Sequence, residues 1–75
     1  MRILIVEDNV VYSHLTAERL ARAGFDSDEV ATAEAALKAV ASVDYSAVVL
    51  DLGLPDEDGI DLLQKIRKRS SAVPI

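Results

Sequence analysis

Cysteine is absent from the 75 residues, and histidine occurs once, at position 14. Disulfides and thiolate metal sites are therefore excluded, and His14 has no second imidazole with which to build a metal site. Glycine is scarce as well. Gly24, Gly53 and Gly59 are too few and too scattered to assemble a dinucleotide fingerprint or a phosphate-binding glycine loop. Tyr12, Phe25 and Tyr45 lie too far apart to form a base-stacking platform. Positive charge is outnumbered: the formal net charge of −5 leaves no basic face for nucleic acid or an anionic membrane, so neither is expected as a direct partner. Long apolar runs are missing too. The first one, Ile3 to Val6, meets acid at Glu7 and is too short for a signal-peptide core or a membrane span. There is no internal repeat, linker or low-complexity tract. These absences point to a soluble, cytoplasmic domain.

What is present is a chain 51% hydrophobic, too apolar for intrinsic disorder and long enough for one small domain with a thin stability margin. Three times a short apolar run is followed by a helical pattern. Ile3 to Val6 reads as a strand buried on both faces. A helix follows, with Asp8 or Asn9 as its cap, an apolar stripe of Val11, Leu15 and Leu20, and Gly24 where a left-handed terminal residue is wanted. Phe25 to Val30 is a weaker strand whose Asp26, Asp28 and Glu29 suit a sheet edge. Thr32 caps an alanine-rich second helix running to about Ala41. Ala47 to Leu50 is a third strand, apolar until Asp51. The segment from Leu52 to Gly59 reads as an irregular turn, with Asp56 and Asp58 as turn and helix-cap residues. Ile60, Leu63 and Ile66 mark a third helix whose basic end, Arg67-Lys68-Arg69, complements the helix dipole. Ala72 to Ile75 resembles the start of a fourth strand. Alternation of this kind predicts an α/β fold with a parallel sheet and right-handed crossovers.

The informative residues are Glu7, Asp8 and Asp51, each at the carboxyl end of an apolar strand. With strand order 2-1-3, strands 1 and 3 are neighbours, and a crevice opens at their carboxyl ends. Three carboxylates converging there repel one another unless a cation sits among them. An all-oxygen set of carboxylates, a backbone carbonyl (Gly53 is placed to offer one) and water suits Mg²⁺. The chemistry that fits is in-line transfer of a phosphoryl group to the Asp51 carboxylate, giving an acyl phosphate. A purely structural role exists for each acid taken singly, because Asp8 can cap a helix and an aspartate can simply end a strand. Acids converging at two corresponding strand ends are not required by structure.

The run Ile3-Leu4-Ile5-Val6-Glu7-Asp8-Asn9 resembles the opening strand and acidic pair of bacterial response-regulator receiver domains. Val48-Val49-Leu50-Asp51-Leu52-Gly53-Leu54-Pro55-Asp56-Glu57-Asp58-Gly59 resembles the family's phosphoacceptor strand and loop. Both are worded like the winged-helix DNA-binding subgroup, and Gly24-Phe25 and Ala31 to Leu37 also fall in register. The resemblance implies a flavodoxin-like doubly wound sheet, here an incomplete (βα)3 plus the start of strand 4, in order 2-1-3(-4). Residues 1–75 would be the N-terminal portion of a receiver, with no output domain. It further implies that Asp51 accepts phosphate from a sensor histidine kinase in a two-component system. Asp8 and Asp51 would bind Mg²⁺ directly, Glu7 through water and Gly53 through its carbonyl. Such a protein is no enzyme beyond catalysing its own phosphorylation.

The family has five βα units, so the hydroxyl residue ending strand 4 and the lysine ending strand 5 lie beyond this sequence. An uncovered strand 4 edge and first-helix face lead to an expectation of self-association. The rival reading is accordingly a non-switching interaction module. Two other classes fit less well. A haloacid-dehalogenase-like phosphatase wants an acid two residues after its nucleophile, where Gly53 stands. A flavodoxin-like cofactor binder wants a phosphate loop where Glu7-Asp8-Asn9 would repel phosphate.

Overall fold

The computed structural model describes residues 1–51, 53–69 and 73–75. Strand β1 (Arg2–Val6) is followed by helix α1 (Val10–Arg22), β2 (Asp26–Val30), α2 (Ala33–Ser42), β3 (Ala47–Leu50) and α3 (Gly59–Arg69). The three strands form one parallel sheet in the order β2-β1-β3. The most apolar strand occupies the centre because only there are both faces covered: Ile3, Leu4, Ile5 and Val6 are all buried. The acidic β2 takes an edge, as its sequence requires, and Arg2 pairs there with Asp28 at 2.7 Å.

Caps fix where the helices begin. Asn9, rather than Asp8, caps α1, its side chain accepting from the Val11 and Tyr12 amides at 3.0 and 3.2 Å. Asp8 is thereby left for another role. Thr32 caps α2 through the Ala35 amide, and Asp58 accepts from the Ile60 amide at the start of α3. Gly24, at φ +91°, supplies the left-handed residue after α1. The main core joins Leu4, Val6 and Val48 of the sheet to Ala33 and Ala36 of α2 and to Leu62 and Ile66 of α3, with Leu54 closing it from the β3–α3 loop.

Two expected apolar stripes are corrected. Val11 and Leu15 of α1 are exposed, and the buried residue of that helix is Ser13. Its hydroxyl donates to Glu29 Oε1 at 2.6 Å, so a polar side chain can take the inward position without an unmet hydrogen bond. On α3, Ile60 is exposed, and Leu62 with Ile66 forms the inner face. Val49 of β3 is also 43% exposed, so this strand is buried on one face and open on the other. The expected fourth strand is reduced to one ladder-like bond among the described residues, from the Val48 amide to the Pro74 carbonyl at 2.8 Å on the free edge of β3. Ala72, its expected first residue, lies outside the described residues.

Candidate functional site

The backbone ladder itself brings the acids together. Val6 of β1 is in register with Leu50 of β3, so the residues that follow, Glu7 and Asp51, leave neighbouring strands at the same level. Glu7 is held by its amide to the Val30 carbonyl at 3.0 Å, and Asp51 by its amide to the Val6 carbonyl at 2.9 Å. Asp8 follows in the short turn before Asn9. One carboxylate oxygen from each of Glu7, Asp8 and Asp51 lies within 4.8 Å of the other two. Glu7 and Asp51 are half-buried and Asp8 is exposed, so the cluster opens to solvent on one side.

Its electrostatics are unfavourable without a counter-charge. Asp51 stands close enough to share a proton with Glu7. That contact, followed by burial and by the negative charge of Asp51, holds the Glu7 carboxyl above the ordinary carboxylate range, against a lowering pull from the Asn9 backbone. Glu7 Oε2 is buried and, among the described residues, meets no hydrogen-bond donor when both acids are ionised. A proton or a cation resolves such a cluster. An oxygen-only donor set that includes a residue with an orphaned buried oxygen fits a hard divalent cation such as Mg²⁺.

Gly53 lies in the exposed loop after β3, where its amide donates to Asp51 Oδ1 at 3.1 Å and steadies that carboxylate. A methyl group at this position would meet Asp51 Oδ1 at 3.8 Å, an ordinary contact, so space alone does not demand glycine. Leu52 lies outside the described residues. His14 is exposed, and its Nδ1 lies 2.8 Å from Glu29 Oε1. The Ser13 hydroxyl bond, aided by His14, keeps Glu29 below the ordinary carboxylate range.

One residue beside the site has a role that sequence spacing did not reveal. Asp56, expected to serve its own turn and helix, instead accepts from the Ala33 and Glu34 amides at 2.9 and 3.1 Å. It thus caps α2 from the β3–α3 loop, and those two amide bonds draw its carboxyl below the ordinary range. The amides lie 23 and 22 residues away in sequence, so only the folded topology could have exposed this bond.

A family model described as a response regulator receiver domain matches residues 3–75. The transcriptional regulatory protein BasR of Escherichia coli (strain K12) is 41% identical over 75 residues, which is all of this chain and 34% of BasR. The chain therefore spans about a third of the curated relatives it matches. Among solved structures, response regulator TrrA of Thermotoga maritima in complex with Mg²⁺ and BeF superposes with a TM-score of 0.89 at 34% identity, over 93% of this chain and 61% of that one. TrrA in complex with histidine kinase ThkA superposes at 0.90 and 33%, over 96% and 62%. No helix among the described residues is long and apolar enough to cross a membrane.

Proposed function

The chain belongs to the response regulator receiver domain family, and on that premise we propose that it accepts a phosphoryl group on Asp51 from a phosphohistidine of a sensor kinase. An Asp51 carboxylate oxygen attacks phosphorus in line, the phosphorus–nitrogen bond breaks, and the departing imidazole keeps the electron pair and takes up a proton. The product is an aspartyl acyl phosphate. What carries the reading is the convergence of Glu7, Asp8 and Asp51 at the ends of two adjacent strands.

In this reading Asp8 and Asp51 hold Mg²⁺ directly, Glu7 acts through water, and the Gly53 carbonyl completes the protein ligands. When bound, the cation offsets the negative charge that phosphoryl donor and carboxylates bring together. The remaining work falls to the chain. The Val6 carbonyl fixes the Asp51 backbone, and the Gly53 amide engages Asp51 Oδ1. Residues 1–75 then form the N-terminal portion of a receiver. The kinase complex of TrrA supports a kinase as partner, and the Mg²⁺ complex of TrrA supports the choice of cation.

The test is intact mass after incubation with acetyl phosphate and Mg²⁺, with Asp51→Asn alongside. One phosphoryl adduct on the parent chain alone is expected, and its absence would favour the rival reading. That rival, a self-associating module, draws on the exposed Val10, Val11, Leu15 and Val49. Sedimentation velocity distinguishes it, a concentration-dependent dimer supporting association and a monomer at all concentrations opposing it.

A further inference from the structure

The loop that carries Gly53 is fastened in several places. Leu54 is buried in the core, Glu57 pairs with Lys65 of α3, and Asp58 caps α3. Only the Asp56 bonds, among those recorded for the described loop side chains, reach a helix other than the one the loop leads into. They also divide the α2 terminus with Thr32. Thr32 Oγ1 takes the Ala35 amide at 3.1 Å, and Asp56 takes the Ala33 and Glu34 amides that Thr32 leaves over. Between Gly53 and Asp56 stand a buried leucine and a proline of fixed φ, so the segment is stiff and a shift at one end passes to the other.

We propose that Asp56 is a positioning residue for the acidic pocket: by clamping the β3–α3 loop to the α2 terminus, it sets where Gly53 stands relative to Asp51. The inference rests on the reading of the pocket given above and deepens it. Loading the pocket and ordering the first turn of α2 are then coupled, and coupling of this kind is reciprocal. Mg²⁺ should slow exchange of the Ala33 and Glu34 amides, and loss of the Asp56 carboxylate should weaken Mg²⁺ binding.

The experiment compares the full chain with Asp56→Ala, Asp56→Asn and Thr32→Ala, using amide NMR spectra and Mg²⁺ titrations. Asp56→Ala is expected to weaken Mg²⁺ by about tenfold, the usual scale for losing a residue that orients a ligand, and to move the Gly53 amide resonance without Mg²⁺. Asp56→Asn, which keeps an acceptor oxygen and guards against a poorly folded alanine variant, should recover part of the affinity. Thr32→Ala weakens the same helix end but keeps the bond from the loop, and should weaken Mg²⁺ clearly less than Asp56→Ala does. Parent-like binding by Asp56→Ala, or equal weakening by Thr32→Ala, would overturn the proposal. If the parent itself takes up no Mg²⁺, the functional reading falls instead. The Gly53 resonance then still decides, a shift in Asp56→Ala sustaining the clamp and an unmoved resonance refuting it.

Discussion

Replacing Asp8 with alanine should remove the response of this fold to Mg²⁺ while leaving the cation-free protein at least as stable. Asp8 is exposed and caps nothing, because Asn9 accepts the α1 amides, so its loss costs little packing or hydrogen bonding. Its oxygen lies within 4.8 Å of those of Glu7 and Asp51, an arrangement the unfolded chain does not present. Cation binding therefore stabilises the folded state alone. At ten times the dissociation constant the gain is RT ln 11, about 1.4 kcal/mol. A 75-residue chain has an unfolding entropy of about 0.16 kcal/mol/K at the usual value per residue, so the thermal midpoint should rise by about 9 °C. The assay is far-UV circular dichroism on heating, with Na⁺ replacing Mg²⁺ at matched ionic strength to remove general screening. In Asp8→Ala the shift should vanish, and the cation-free midpoint should equal or exceed that of the parent because one of three crowded negative charges is gone. Equal Mg²⁺ shifts in the two proteins would refute the assignment of Asp8 as a ligand.

Other expectations follow from the core and from the titrating groups. Leu62 is fully buried between α3 and the sheet, so Leu62→Ala should cost about 2–5 kcal/mol. Against a total of roughly 4–11 kcal/mol for a chain of this length, denaturant titration should show about half of the stability lost. Glu29, held below its ordinary 4.5 by the Ser13 hydroxyl, contributes stability that is present above pH 4.5 and lost as pH falls through its depressed folded value. Ser13→Ala should thus be less stable than the parent by about 1 kcal/mol near neutrality, and the gap should close in acid; a gap independent of pH would refute the linkage. Tyr45 is pushed up to about 12 by burial and by its 2.7 Å hydrogen bond to Asp28. Its contribution is complete below pH 10 and is lost as pH rises towards 12, so Tyr45→Phe should flatten the alkaline limb of the stability profile.

The sequence pattern made the strands and the acid cluster legible because both depend on short-range chemistry. A continuous run such as Ile3 to Val6 has few homes other than a strand covered on both faces, and an acid placed directly after such a strand must emerge at its carboxyl end. The cap at Thr32 was legible for the same local reason, while at α1 the sequence left Asp8 and Asn9 as equal candidates and the structure selects Asn9. What hydropathy misassigned were the helix faces. Ser13 is polar yet buried because Glu29, on another element, satisfies its hydroxyl, while Val11, Leu15 and Ile60 are apolar yet exposed. The Asp56 cap was hidden for a related reason, since its partners belong to a helix that precedes it and only the parallel topology brings them close.

The central claim is that Asp51 forms an acyl phosphate, and its most direct test locates the modified atom. The protein is treated with acetyl phosphate and Mg²⁺ and then with borohydride, which reduces an aspartyl phosphate to homoserine, before peptide mass spectrometry. The account predicts homoserine at position 51 and nowhere else, with none in Asp51→Asn. Homoserine at Asp8, Asp56 or Asp58 instead, or no reduction product in the folded parent protein, would contradict it.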